Sequence, residues 1–302
     1  MTARRLAPLL LGLALGHSAC GEEPAGGARL SLVATTTQVA EIARQVAGRR
    51  ATVDALLRPG ADPHDYEPRP RDARRLGEAE LVLRSGGEVD SWLHDLLRSA
   101  GGGPQVVTLI DALGRRGDDP HWWQDPLAGV AATRAVAAAL GQVDPAGRAG
   151  YRRRAREYAG RLRRLNRSIA ACVARVPAAR RKLVTSHDSL GYFARRYGIE
   201  VIGSVIPSLS TQAQPSARDL QRLVGRIRRE RVQAVFPESS LNPKLQRALA
   251  REAGARVGGR LYADTLGPRG SRASTYAGSL AQNAERIVAG MSGGRVRCGG
   301  LG

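Results

Sequence analysis

The chain has 302 residues, 42% of them hydrophobic, and 47 basic against 27 acidic residues give a formal net charge of +20. That length allows two ordinary domains with a sizeable core. The charge points first to nucleic acid or an anionic membrane surface, but only Lys182 and Lys244 are lysines, and the arginines lie spread along the chain in short clusters such as Arg152-Arg153-Arg154; a GC-rich genome imposes such a composition, it reads as a solvated surface, and with no aromatic-interleaved basic patch it argues against a nucleic-acid module.

Residues 1–19 read as a signal peptide: Arg4 and Arg5 form a charged start, residues 9–15 an apolar run, and small residues follow up to Cys20. The apolar run is too short to span a membrane, and no later stretch is expected to be long enough. Cys20, after Ser18-Ala19, resembles a bacterial lipoprotein cleavage site, with His17 standing where such sites usually carry Leu. A lipid on Cys20 would hold the exported chain at a membrane; ordinary cleavage after Ala19 is the other reading. Residues 20–28 read as a flexible tether.

The first α/β unit, residues 29–126, has strand patterns at 30–36, 52–57, 80–84 and 105–110 and helical patterns at 38–47, 71–78 and 91–100. Strands alternating with helices imply a parallel sheet with crossover connections. Residues 127–177 are linker helices, the first at 127–140. The second starts at Asp144-Pro145, with Asp as N-cap and Pro in the first turn. Its apolar positions Tyr151, Ala155, Tyr158, Leu162, Leu165, Ile169, Cys172 and Val176 mark one long amphipathic rod ending before Pro177. At 1.5 Å per residue it would run about 45 Å, enough to brace two lobes. Cys172 falls on the apolar stripe, where a buried free thiol is the commoner outcome; export also permits a disulfide to Cys298, so both readings stay open. The second α/β unit, residues 178–302, has strands at 182–185, 200–205, 232–237 and 256–262 and helices at 190–197, 217–230, 243–253 and 275–291. The expected fold is thus α/β: two lobes, each a roughly four-stranded parallel sheet flanked by helices, joined by one long backbone helix.

Five histidines occur: His17 in the leader, then His64, His94, His121 and His187. Three of the last four sit in metal-type contexts: Asp62-Pro63-His64-Asp65-Tyr66-Glu67-Pro68, Asp119-Pro120-His121-Trp122-Trp123-Gln124-Asp125-Pro126 and Thr185-Ser186-His187-Asp188-Ser189. Asp264, in Tyr262-Ala263-Asp264-Thr265-Leu266-Gly267, is the fourth candidate. Neutral imidazole and carboxylate are the donors a divalent transition metal prefers. The four are far apart in sequence, which argues against a zinc finger and requires a fold to gather them. His187 and Asp264 follow strands of the second lobe, and His64 and His121 belong to the first. Loops beyond the carboxyl ends of parallel strands are where open α/β sheets bind ligands, so two donors per lobe place one ion in the cleft. His94 lies in an ordinary helix and reads as surface; Trp122 and Trp123 read as cleft wall or core. A zinc metallohydrolase is the enzymatic alternative, but four protein donors would close the site, and there is no His-Glu-x-x-His pair or nucleophile motif.

These segments, together with Leu57-Arg58-Pro59-Gly60-Ala61, Ser189-Leu190-Gly191-Tyr192-Phe193, Arg196-Tyr197-Gly198 and Val235-Phe236-Pro237-Glu238-Ser239-Ser240, resemble in order those of the solute-binding proteins of bacterial zinc and manganese ABC transporters. The resemblance covers nearly the whole mature chain. It implies a non-enzymatic, exported receptor, periplasmic or at the cell surface. Such a receptor binds one divalent ion through His64, His121, His187 and Asp264 and delivers it to an ABC permease with its ATPase subunit. It also implies Glu238 as a supporting carboxylate, a monomer, no nucleic-acid partner, and limited closure on binding. His187 stands where manganese members often carry Glu, so zinc is the expected ion, with manganese or iron(II) as alternatives. Many zinc members insert a His- and acid-rich loop before the second histidine; residues 114–118 are only Gly-Arg-Arg-Gly-Asp, so no accessory metal-loading role is expected.

Overall fold

The structure is a computed structural model that describes residues 29–114 and 118–301. The signal peptide, Cys20 and the tether lie outside the described residues. The first lobe runs β1 (Leu30–Ala34), α1 (Thr37–Ala47), β2 (Ala51–Ala55), α2 (Pro70–Gly77), β3 (Leu81–Arg84), α3 (Leu93–Ala100), β4 (Gln105–Thr108) and α4 (Leu109–Ala112). Its four strands form one parallel sheet in the order β2-β1-β3-β4. Strand β1 is central and apolar, with Leu32, Val33 and Ala34 buried, as a strand covered on both faces must be. The pattern at 105–110 is a strand only as far as Thr108. Leu109 and Ile110 then turn into α4 and are buried there, an apolar pair that a strand or a helix can bury equally well.

Two helices follow, α5 (Pro126–Val143) and α6 (Arg148–Ala174). Asp125 caps α5 by accepting from Leu127 N–H at 2.8 Å, and Pro126 occupies the first turn. Between the helices, Asp144 accepts from Gly147 N–H at 3.1 Å over a short 3-10 turn. Helix α6 then runs 27 residues, about 40 Å, with Tyr151, Ala155, Tyr158, Leu162, Leu165, Ile169 and Cys172 all buried. It packs on α1 of the first lobe, on α5, and on α10 (residues 276–291) of the second.

One expectation is corrected here and one open alternative is resolved. Helix α5 is long and apolar enough by length and composition to cross a membrane, but 61% of it is buried inside the protein; it is a core helix, rich in Ala, wedged against α1 and α6. And Cys172, although buried, is not a free thiol: it is bonded to Cys298, with a Cα–Cα distance of 5.8 Å, inside the normal disulfide range. The bridge fastens the C-terminal segment to the end of α6.

The second lobe runs β5 (Lys182–His187), α7 (Gly191–Tyr197), β6 (Glu200–Ile206), α8 (Ala217–Arg229), β7 (Ala234–Val235), α9 (Lys244–Ala253), β8 (Arg256–Val257) and α10 (Tyr276–Met291). Its strands pair in parallel as β5-β6 and β7-β8, and a bridge between Thr185 and Phe236 joins the two pairs, giving the order β6-β5-β7-β8. The last two strands are much shorter than their apolar runs. Beyond them only an isolated bridge, Glu238 to Leu261, continues the ladder, because the chain diverges there to form the site.

Candidate metal centre

The two Asp-Pro-His segments are built alike. In each, the aspartate Oδ1 accepts the histidine backbone N–H two residues on, at 3.0 Å for Asp62 and His64 and at 3.0 Å for Asp119 and His121. This Asx turn, with proline fixing φ between, sets the direction of the imidazole. The second oxygen of Asp62 accepts from the Thr211 hydroxyl at 2.7 Å, across from the other lobe. Asp119 Oδ1 also lies 2.9 Å from His121 Nδ1. His187 is the last residue of β5. Glu238, just past β7, accepts its backbone N–H at 3.0 Å and faces its Nδ1 with both oxygens at 2.9 Å.

With Nδ1 engaged, His121 and His187 turn Nε2 inward, where the two atoms are 3.3 Å apart. Asp264 completes the group. Its Oδ2 is 3.2 Å from His187 Nε2 and 3.6 Å from His64 Nε2, and its Oδ1 is 3.5 Å from His121 Nε2. One donor atom from each of the four residues lies within 4.8 Å of all the others. Donors around an ion at about 2.0–2.2 Å in a tetrahedron stand roughly 3.4 Å from one another, close to the 3.2–3.6 Å separations of Asp264 from the three imidazoles and the 3.3 Å between His121 and His187. Side-chain exposure is at most 3% for His64 and 0% for the other three. His64 Nε2 and both Asp264 oxygens are buried with no hydrogen-bond partner. Leaving three such atoms unpaired is costly; a cation between them removes that cost.

The electrostatics agree. Burial pushes His64 down to about 4, against the pull of Asp264, so it is neutral and ready to ligate. Burial also opposes charge on His187, but the Glu238 and Asp264 carboxylates outweigh it and hold its pKa well above the usual value. Asp264 is desolvated, yet the surrounding imidazoles keep it below the usual carboxylate range. The site is therefore a carboxylate among imidazoles, one of which holds a proton that an ion must displace.

The lobes are pinned together around this point. Trp123 Nε1 and Gln124 Nε2 both donate to the Ala263 carbonyl, at 2.7 and 2.6 Å. Gly60 N–H donates to Thr265 Oγ1 at 2.8 Å, and Leu266 N–H to Thr37 Oγ1 at 3.0 Å. Arg196 holds Asp125 with two hydrogen bonds, at 3.0 and 2.8 Å. Trp123 also packs edge-on against His121, ring centroids 5.3 Å apart. Both tryptophans are buried; Trp122 fills core, while Trp123 is at once core and a wall of the site.

All four expected donors are thus brought together, with Glu238 beside His187. His94 is exposed and faces Asp95, as a surface residue does. The loop residues 115–117 lie outside the described residues. Sequence reasoning missed Asp119 as the carboxylate that positions His121. The signal was present: Asp-Pro-His occurs twice with identical spacing, and the same turn serves both.

Residues 32–290 match the family of zinc-uptake complex component A, periplasmic (ZnuA). The chain is 32% identical to the manganese-binding lipoprotein MntA of Bacillus subtilis over 89% of this chain and 93% of that protein. It is 28% identical to the iron-binding protein YfeA of Yersinia pestis over 87% and 86%. The structure of the periplasmic zinc-binding protein TroA of Treponema pallidum superposes with a TM-score of 0.82 at 29% identity, covering 88% of this chain and all of that one. Matched over most of its length in sequence and fold, the chain belongs to the ZnuA family of extracytoplasmic metal-binding receptors that serve ABC transporters, and is not an enzyme.

Proposed function

We propose that this chain captures one zinc ion through His64, His121, His187 and Asp264 and delivers it to an ABC permease. The observation that carries the reading is the convergence of four donors, three of them on fully buried residues, within 4.8 Å of one another, three of their atoms without any other hydrogen-bond partner. Glu238 and Asp119 orient the two inner imidazoles. The relatives' names give manganese, zinc and iron in turn, so the choice of zinc rests on donor chemistry: three nitrogens and a single carboxylate suit zinc better than manganese. A hydrolytic zinc keeps a coordination position for water, whereas here four protein donors face one centre. We further take Cys20 to carry a lipid anchor, residues 29–126 and 178–302 to be the lobes, and the receptor to act as a monomer.

Affinity order alone favours zinc over manganese at almost any such site, so binding strength is a poor judge of the cargo. The deciding experiment is growth of a deletion strain starved of zinc or of manganese. Zinc alone should rescue it, and His187→Glu should shift preference toward manganese. Rescue by manganese alone would overturn the zinc reading.

A further inference from the structure

Helix α6 carries more charge than its packing uses. Nine of its 27 residues are arginine and one, Glu157, is acidic. Three arginines are engaged in the fold: Arg148 donates to the Gly141 carbonyl at 2.8 Å, Arg154 to the Val46 carbonyl at 2.7 Å, and Arg161 to Gln45 Oε1 at 2.6 Å. The other six, at 152, 153, 156, 163, 164 and 167, have no ion pair or hydrogen bond among the described residues. At 100° per residue, Arg152, Arg156, Arg163 and Arg167 fall within about 60° of one another, a stripe about 22 Å long on the outer face. Arginines three and four apart repel, so the stripe weakens the isolated helix. A GC-rich genome explains arginine in place of lysine; it does not explain leaving so many cations uncompensated on one face.

The stripe also sits where the chain enters the fold. Leu30, the first residue of β1, pairs with Ala51. Arg50, just before Ala51, is 2.7 Å from Asp144, and Asp144 in turn accepts from the Tyr151 hydroxyl. Gly48 packs directly against the Arg154 guanidinium. Arg29 and Arg49, both exposed, therefore belong to the same end of the molecule as Arg152, Arg153 and Arg156. The residues 20–28 that precede the described chain reach at most about 30 Å when fully extended. The metal centre lies at the other end of the strands, beyond their carboxyl termini.

We propose that this end of the molecule, with Arg29, Arg49, Arg152, Arg153 and Arg156, is a docking surface for anionic phospholipid headgroups. Guanidinium forks match phosphate oxygens two at a time. Each arginine brought near an anionic surface strengthens binding about fivefold, so three of them account for roughly a hundredfold. The surface would orient the receptor on the membrane, with the end that receives the tether turned toward it. The proposal is separate from the metal reading and from lipidation of Cys20.

The test uses the exported chain with Cys20→Ser, so that no lipid contributes, and vesicles of phosphatidylcholine with or without about one-third phosphatidylglycerol. The triple variant Arg152→Gln, Arg153→Gln, Arg156→Gln is compared with a control of equal charge change on the second lobe, Arg218→Gln, Arg229→Gln, Arg247→Gln. Sedimentation should show salt-sensitive binding to the anionic vesicles only. The first triple should lose about a hundredfold and the control less than threefold, while both still bind one zinc ion per chain. Equal loss in both triples would mean that overall charge, not a surface, drives binding. Equal binding to neutral vesicles would overturn the proposal, as would retention of duplex DNA, lost with the first triple, in the absence of vesicle binding.

Discussion

Replacing Glu238 isolates the contribution of a group that never touches the ion. Its Oε1 accepts from the His187 backbone N–H at 3.0 Å, both oxygens face Nδ1 at 2.9 Å, and its own backbone N–H donates to Ser186 Oγ at 3.1 Å. It thereby fixes the ring of His187 and places the proton on Nδ1, leaving Nε2 for the ion. A hydrogen bond to a charged group contributes about 1.5–3 kcal/mol, equivalent to a factor of roughly 10 to 150 in affinity, and carboxylates behind metal-bound histidines generally account for about 10–100-fold. Glu238→Ala should therefore weaken zinc binding about 30-fold, measured by competition with a chelator of known affinity. Glu238→Gln should cost less, since its carbonyl still accepts from Nδ1–H while the negative charge is gone. The fold should persist in both, judged by circular dichroism. A change below about twofold in Glu238→Ala would refute the positioning role. A loss as large as that in His187→Ala would instead mean that the carboxylate is itself a ligand.

Three further outcomes are expected. His64→Ala or His121→Ala should weaken binding by orders of magnitude while His94→Ala leaves it unchanged; calorimetry that found His94 essential, or two tight sites, would contradict the assignment. Affinity should fall by about tenfold or more per pH unit between pH 7 and pH 5, because His187 is raised above its usual value of about 6.5 and must lose a proton to each ion, whereas His64, lowered to about 4, adds proton competition only in stronger acid. In the metal-free chain the signs are opposite: protonated His187 stabilises the fold below about pH 6.5 and its contribution fades as pH rises through its raised value, while neutral His64 costs stability as pH falls from about 6.5 to 4. Flat metal affinity from pH 7 to pH 5 would sink this account. Finally, Cys298→Ser opens a link between residues 126 apart, which should cost about 2–5 kcal/mol; identical melting of the variant and the parent under oxidising conditions would show that the bridge contributes nothing.

What the sequence disclosed, and what it concealed, follows from the range of the interactions. The long helix was legible because its stripe repeats within one element, and the caps at Asp125 and Asp144 act across two or three residues. The donors were legible because each is embedded in a local turn that uses Pro, Asp or Gly for a conformational reason. The disulfide was not, since an apolar stripe tells that Cys172 is inside but not what lies across from it. Nor could local patterns show that α5 is a core helix and not a spanning one: its length and composition suit either, and its burial against the neighbours α1 and α6 distinguishes them.

The contacts hardest to foresee are those that decide how the receptor can move. Trp123 and Gln124 meet the carbonyl of Ala263 from 140 and 139 residues away, and Gly60 meets Thr265 across 205. These bonds hold the residues flanking Asp264 from the lobe that carries His64 and His121. Each buried bond contributes only about 1 kcal/mol on its own, but breaking one leaves a desolvated donor or carbonyl behind, so they open together or not at all. With α6 packed on helices of both lobes, a wide hinge would have to break this set and repack the shared core at once. Release of the ion is more readily achieved at His64, the donor with the most exposed side chain, whose loop is held from the other lobe through the Asp62–Thr211 and Gly60–Thr265 hydrogen bonds. Loaded and empty receptor should then differ by a local loop movement. A change of several ångströms in radius of gyration by small-angle scattering would require the whole set of pins to open, and would contradict that conclusion.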